Sequence, residues 1–243
     1  MAADRESRAE FIKQINGLAK SRLGPERSGA AATFLAAYYA NVPAEDIAQP
    51  LEQLYGAGVA IWQFARQRMP GAAKVRVYTP RLAEHGWESP HTVVEIVNDD
   101  MPFLVDSVIG EVNQHDLTVH RLAHPIVKVT RDAAGTAVKC GEGIAESFIH
   151  IEVDNVGDPA KREALGERLA GVLADVRIAV ADWRAMLDKL AAVRTELARG
   201  VTGVAKAELD SADALLGWLA SENFTFLGYR QYAFASDGAA AKL

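Results

Sequence analysis

One stretch of the chain decides its fold: His91-Thr-Val-Val-Glu-Ile-Val-Asn-Asp-Asp100, followed by Met101-Pro-Phe-Leu-Val-Asp-Ser-Val-Ile-Gly110. The first half is rich in β-branched residues and has one apolar and one mixed face, so it predicts a strand. In the second half, apolar residues recur at helical spacing, and Pro102 suits a first helical turn. The stretch therefore predicts a strand, a tight acidic turn and an amphipathic helix.

The sequence after this stretch predicts two more strands and a long helix. Leu117–Thr130 reads as a strand that Pro125 bends or confines to an edge, and Glu146–Val153 alternates like another strand. A helix begins near Asp158-Pro159, and its apolar stripe continues towards Arg199. The order strand, helix, strand, strand, helix predicts an α+β fold, a ferredoxin-like two-layer domain with both helices on one face of an antiparallel sheet.

A further strand is needed to complete the usual βαββαβ pattern. Two segments of the chain could supply it, Lys74–Thr79 and Phe224–Tyr232. We expect Lys74–Thr79 to be added as an edge strand. Phe224–Tyr232 is also predicted to be a strand, one that leads into a following domain.

The remaining segments complete a division into three parts. Residues 1–72 are rich in Ala and predict about three helices, which Gly24-Pro25, Val42-Pro43-Ala44-Glu45 and Met69-Pro70-Gly71 separate or end. Residues 73–200 form the predicted α+β domain. In residues 201–243, a break at Gly200–Gly203 precedes a shorter helix over about Glu208–Ser221 and the predicted strand, so this part leads towards a second domain.

Composition excludes several classes of protein. The chain has 49% hydrophobic residues, a formal net charge of -6 and dispersed Lys and Arg residues, so a nucleic-acid partner is not expected. No window approaches the roughly 20 apolar residues of a membrane span, and no signal peptide is visible, so we expect a cytoplasmic protein without a membrane partner. The lone Cys140 excludes an internal disulfide and is interpreted as structural.

Several motifs carry a family resemblance. They are Leu54-Tyr55-Gly56, Trp62–Arg66, Val75–Pro80, His85-Gly86-Trp87, His91–Ser107, Glu146–Glu152, Leu173–Arg177, Val180–Trp183 and Asn223–Tyr229. In this order they resemble the N-terminal region of the large bacterial NAD-specific glutamate dehydrogenases, and they cover nearly the whole chain. The run His91–Ser107 is the most specific of them, because many positions match in order.

The resemblance implies a very long polypeptide with ACT-like regulatory domains near its N-terminus and a dehydrogenase domain far downstream. This chain would then be a regulatory or assembly fragment, with the other domains of the polypeptide as partners and a homo-oligomeric parent. The parent would use NAD to convert L-glutamate to 2-oxoglutarate and ammonia. The residues agree with a fragment, because no Gly-x-Gly-x-x-Gly follows a strand. We therefore expect no catalytic residue and no cofactor in this chain.

The acidic turn has two interpretations. Backbone N–H groups at a helix start attract carboxylates, so the turn could hold an amino-acid effector. The candidate effector-binding residues are Asn98, Asp99, Asp100, Met101, Phe103 and Asp106. Alternatively, the two adjacent aspartates cap the helix and Phe103 fills the core. ACT domains that bind amino acids commonly carry glycine after the loop proline, whereas Phe103 follows Pro102 here.

The histidines and one serine suggest other chemistry. His120 and His124 share a face of a regular strand, and His150 shares one with Glu152, but Pro125 disturbs the spacing, so we predict no metal site. Ser147 and His150 point to opposite faces of a strand, so they cannot pair as nucleophile and base. We therefore reject hydrolytic catalysis.

A protein-interaction module without an effector is the alternative function. Its contact surface would be the outer sheet face with Glu95, His150 and Glu152, or the sheet edge near Lys74. The long helix outruns the sheet, and we expect the N-terminal helices to cover its later apolar residues. These residues are Trp183, Leu187 and Leu190.

Overall fold

A computed structural model describes residues 2–40, 42–43, 47, 49–200 and 202–232 of the chain. The chain divides into two compact units, Met1–Val176 and Arg177–Leu243. None of the described helices is both long and apolar enough to cross a membrane.

The first unit begins with three helices, as predicted. They are α1 (Ala2–Arg22), α2 (Pro25–Ala40) and α3 (Leu51–Ala65). Gly24 separates the first two helices, and Pro25 occupies the first position of α2, where its missing N–H costs nothing. The third helix starts after Pro50, later than the predicted start near Ala44-Glu45, and residues 44–46 lie outside the described part of the chain.

The sheet is antiparallel and has six strands. They are β1 (Lys74–Tyr78), β2 (Thr92–Asp99), β3 (Val119–Ala123), β4 (Ile126–Arg131), β5 (Ala137–Cys140) and β6 (Ile144–Val153). Their order is β1-β2-β6-β4-β5, and β3 also pairs with β6. The expected edge strand is therefore confirmed, because β1 pairs with β2. The bend at Pro125 is confirmed as well: it divides the predicted strand into β3 and β4, which pair with opposite ends of β6. The short strand β5 was not predicted.

The helices of the predicted two-layer domain pack on one face of this sheet. A short helix α4 (Leu82–His85) precedes β2, and the two long helices are α5 (Leu104–Gln114) and α6 (Pro159–Ala198). A Cβ atom added to Gly166 of α6 would lie 3.6 Å from Val77, so helix and strand approach closely. Arg168 of α6 donates a hydrogen bond to Glu111 of α5 over 3.0 Å. The α+β fold is confirmed.

The other face of the sheet is covered by α1–α3. Val97 and Phe148 share one hydrophobic core with apolar residues of these helices, and the Phe34 and Phe148 rings lie 5.2 Å apart. The outer face carrying Glu95, His150 and Glu152 is consequently buried. The expectation that this face is open to a protein partner was wrong, because the N-terminal helices contribute enough apolar surface to make a third layer.

The second unit is helical. The C-terminal part of α6 is followed by α7 (Lys206–Trp218) and a π-helical turn (Leu219–Asn223), and Arg194 donates to both carboxylate oxygens of Asp213 over 2.7 and 3.0 Å. The predicted break lies at Gly200–Gly203, where both glycines have a φ of +84°. Trp183, which the N-terminal helices were expected to cover, is 38% exposed. The apolar side chains of α1–α3 are instead buried against the sheet.

The segment Phe224–Tyr232 is not a strand in the structure, so that prediction was wrong. Its sequence has the β-branched and aromatic character of a strand, but a strand needs a neighbour for its backbone hydrogen bonds. Every strand of the described residues belongs to the first unit.

Candidate functional site

The two aspartates of the acidic turn are held by the sheet and its flanking loops. Asp99 accepts hydrogen bonds from Arg68 through Oδ1 and from the backbone N–H of Gly71 through Oδ2, over 2.8 and 2.9 Å. The hydroxyl of Ser147 donates to Asp100 over 2.6 Å. Phe103, and neither aspartate, occupies the cap position of α5, so the expectation of a capping role was wrong: partners from distant segments bind both carboxylates.

The start of α5 is formed by the backbone alone. Phe103 occupies the cap position with a φ of 69°, in the left-handed region, and makes no side-chain capping hydrogen bond. The residue is 44% exposed, so the expectation that Phe103 fills the core was also wrong. Of the other candidate residues, Asn98 is fully buried, Met101 is half-buried and Asp106 is exposed on the first turn of α5. The turn thus presents Met101, Phe103 and Asp106 at the surface.

A second candidate site lies between the sheet and the N-terminal helices. A cavity of about 350 Å³ is bounded by α2, α3, the loop before β2, and strands β3 and β6. Its walls include the side chains of Tyr38, Gln53, Trp87, Arg121, His150 and Glu152. The volume is within the range of small-molecule sites, about 300 to 1,000 Å³.

A row of charged side chains forms one wall of this cavity and continues behind it. Strand register produces the row: Arg76 lies opposite Glu95, Glu95 opposite His150, and Arg121 opposite Glu152. Glu95 contacts Arg76 at 2.5 Å and the His150 Nδ1 at 3.5 Å. Glu152 contacts the His150 Nε2 at 3.9 Å and Arg121 at 3.3 Å. Side chains from four strands therefore form one ion-pair network, the His150 network.

The network sets the protonation of its own members. Burial lowers the pKa of His150, but the two carboxylates on either side of its ring outweigh burial and raise that pKa to about 9. Burial raises the pKa of Glu152, but the nearby His150 cation outweighs it and lowers that pKa to about 2. At neutral pH, His150 is therefore an imidazolium between two carboxylates.

A comparison with known proteins identifies the family of the chain. A family model described as the ACT1 domain of glutamate dehydrogenase matches residues 34–169, more than half of the chain. The chain belongs to the glutamate dehydrogenase ACT1 domain family. The matched part of this ACT1 domain runs from α2 into α6 and includes both the turn and the His150 network.

Two curated relatives show the same relationship along nearly the whole chain. The NAD-specific glutamate dehydrogenase of Halomonas elongata is 38% identical over 248 residues, which cover 97% of this chain and 15% of the relative. The NAD-specific glutamate dehydrogenase of Pseudomonas aeruginosa is 30% identical over 239 residues, with 95% of this chain and 15% of the relative covered. The chain thus spans about 15% of the length of these relatives. The resemblance inferred from the sequence is confirmed.

The two histidines that share a strand face in the sequence, His120 and His124, have other partners in the ACT1 domain. The His120 Nε2 lies 2.7 Å from Asp154, and the His124 Nε2 lies 3.0 Å from the Ser147 hydroxyl. No group of three metal-ligating side chains was found among the described residues. Ser147 contacts both His124 and Asp100, a set that sequence reasoning missed because the three residues are far apart in the chain. Ser147 is fully buried, so it has no access to a substrate.

Sequence reasoning also missed the His150 network. The alternation of β6 placed His150 and Glu152 on one face, but their burial depends on α1–α3, which lie far away in the chain.

The raised pKa of His150 predicts a loss of stability in alkaline solution. A group whose pKa is raised on folding stabilises the native state fully below its unfolded pKa, about 6.5, and that contribution disappears as pH rises through about 9. The midpoint of thermal unfolding should therefore fall by several degrees between pH 6.5 and 9.5, and His150→Asn should flatten this dependence. The control is His115→Asn, at a partly exposed site, which should keep the wild-type slope. An equally steep decline in His150→Asn would contradict the prediction.

Proposed function

We propose that this ACT1 domain is a regulatory and assembly part of a large, cytoplasmic, homo-oligomeric NAD-dependent glutamate dehydrogenase of amino-acid metabolism. The carrying observation is the similarity to NAD-specific glutamate dehydrogenases over 95 to 97% of this chain, which amounts to 15% of their length. The oxidative deamination of L-glutamate to 2-oxoglutarate and ammonia, and the binding of NAD, would be performed by other domains of that polypeptide. Those domains are the proposed partners of this one.

An amino-acid effector is part of the proposal, and the β2–α5 turn is its first candidate position. A non-glycine residue at positive φ costs about 1 to 3 kcal/mol, and such strain is concentrated at ligand sites. Phe103 has this conformation and an exposed ring, and Asp106 offers an exposed carboxylate for an ammonium group. Asp99 and Asp100 are weaker candidates for contacting the effector, because protein donors already bind their carboxylates.

The test compares three proteins in glutamate-dependent reduction of NAD. The polypeptide that carries this domain should turn over, and the 243-residue chain alone should not. A third protein, with residues 1–243 excised, should retain turnover but change in effector response or in oligomeric mass. Turnover by the chain alone would refute the proposal, and so would an excised protein that matches the whole polypeptide in both response and mass.

The open edge of the sheet favours the alternative of an interaction module without an effector. Among the described residues, β1 pairs on one side only, with β2, so its outer backbone groups are available to a strand of another domain. Sedimentation of the chain across a range of concentrations distinguishes the two functions. Mass that rises with concentration, with no response to any amino acid, would support the module.

A further inference from the structure

A groove between the N-terminal helices and the turn before β5 contains two arginines. Its volume is about 450 Å³, and the residues that line it are Arg27, Trp62, Gln63, Arg66, Gln67 and Thr136. Both arginines are exposed, and none of the described residues that line the groove carries a carboxylate. We call this surface the Arg27 groove. Its lining has two positive charges and no negative charge.

Neither arginine of the groove has an acidic partner within the part of the chain that the structure describes. The two neighbouring arginines do have one, because Arg68 and Arg131 contact Glu146 at 2.7 and 2.6 Å. No corresponding ion pair forms at Arg27 or Arg66 among the described residues. Like charges that share a groove repel each other, so an anion between these two guanidinium groups would be stabilised by both.

Two further features make the groove attractive to an anion. Arg27 lies in the first turn of α2, where the backbone N–H groups carry a partial positive charge that favours anions. At the end of α3, the ammonium group of Lys74 donates to the carbonyl oxygens of Phe64 and Gln67 over 2.6 and 2.9 Å. The groove therefore has positive charge from three separate segments around it.

The wall that carries Arg66 is fixed to the turn before β5. The carbonyl oxygen of Arg66 accepts a hydrogen bond from the backbone N–H of Ala137 over 2.8 Å, and the Gln67 Oε1 accepts one from the Thr136 hydroxyl over 3.1 Å. The Arg66 guanidinium lies 5.8 Å from the centre of the Trp62 ring, within the range of a cation–π contact. These contacts restrict Arg66 before any ligand arrives, which lowers the entropy cost of binding.

We propose that the Arg27 groove binds a small phosphate ester through its phosphate group. A phosphate dianion has two negative charges and several acceptor oxygens, and guanidinium groups donate to such oxygens in pairs. A monocarboxylate has one charge and two oxygens, which a single arginine satisfies. The exposed carboxamide of Gln63 can donate a further hydrogen bond. This site is separate from the β2–α5 turn, and it does not depend on the proposed regulatory function.

Inorganic phosphate, AMP and succinate test the proposal by isothermal titration calorimetry of the 243-residue chain. Inorganic phosphate and AMP should both bind, and tighter binding of AMP would show that the groove also contacts the nucleoside. Succinate, a dianion without phosphate, should bind at least about tenfold more weakly than either. Equal affinity for succinate would overturn the assignment to phosphate.

Variants of the two arginines locate the site. Arg27→Gln and Arg66→Gln should each weaken phosphate binding by about tenfold. Arg66→Lys keeps the charge but loses the paired donors, so it should still weaken binding by at least about threefold. Arg199→Gln, which removes the same charge at an exposed position outside the groove, is the matched control and should bind like the wild type.

Three results would overturn the inference. They are no binding of inorganic phosphate or AMP at millimolar concentration, wild-type affinity in both Arg27→Gln and Arg66→Gln, and an equal loss in Arg199→Gln, which would mean that net charge alone attracts the anion. Both groove arginines are exposed, so the variants should keep the wild-type melting temperature. The excision of residues 1–243 tests the regulatory function independently, because its outcome does not change phosphate binding by the chain alone.

Discussion

Replacing Glu146 by alanine is expected to destabilise the first unit by about 3 to 5 kcal/mol. Glu146 is 1% exposed, and it accepts a hydrogen bond from Arg68 over 2.7 Å and two from Arg131 over 2.6 and 2.8 Å. Arg131 also donates to the carbonyl of Ala65, at the end of α3. Without the carboxylate, Arg68 would retain Asp99 as an acidic partner, but Arg131 would retain only carbonyl acceptors among the described residues, such as those of Ala65 and Gly135, and the attachment of α3 to the sheet would weaken.

Urea unfolding followed by far-ultraviolet circular dichroism measures this loss. Glu146→Gln keeps the shape and one acceptor, so it should cost less than Glu146→Ala. Glu142→Ala is the matched control: Glu142 is an exposed residue of the neighbouring turn, and its removal should change the free energy of unfolding by less than about 0.5 kcal/mol. A cost below about 1 kcal/mol for Glu146→Ala would show that water or rearranged side chains satisfy both arginines.

The second large effect is expected at Phe148, whose replacement by alanine should cost about 3 to 5 kcal/mol. The side chain is fully buried, and its ring lies 5.2 Å from that of Phe34 and 6.2 Å from that of Tyr38. It belongs to the interface between β6 and α2, where the sheet meets the N-terminal helices. The truncation would leave a cavity in this interface, because backbone on both sides limits how far the core can relax.

The same unfolding experiment tests this prediction, with Phe148→Leu as the conservative variant. Leucine retains most of the apolar volume, so its cost should be clearly smaller. Phe224→Ala, at a 54% exposed position in the second unit, is the control and should be nearly neutral. A nearly neutral Phe148→Ala would mean that α1–α3 contribute little stability through this face of the sheet.

Much of the fold could be predicted because the relevant signals are local. The alternation of β2 and β6 and the apolar stripe of α5 follow from the geometry of a strand and a helix, which neighbouring residues alone specify. Pro125 marked the division between β3 and β4 because it cannot donate a ladder hydrogen bond.

The candidate sites were less predictable, because they depend on partners far away in the chain. Asp99 and Asp100 stand where a helix cap is expected, yet Arg68 and Ser147 bind them instead. Phe103 is a large apolar residue of the kind that fills a core, yet it is exposed. The turn places it at the cap position that precedes α5.

The sequence by itself determined the α+β class, the family, and which residues share a face of each strand, because periodicity and motif order are properties of the chain. Only the tertiary structure decided that α1–α3 cover the outer face of the sheet. That covering excludes water from His150, Glu95 and Glu152 and changes a polar surface into a buried ion-pair network beside a cavity. The physical reason is that burial, and the strength of charge interactions that burial brings, depends on every segment packed around a residue.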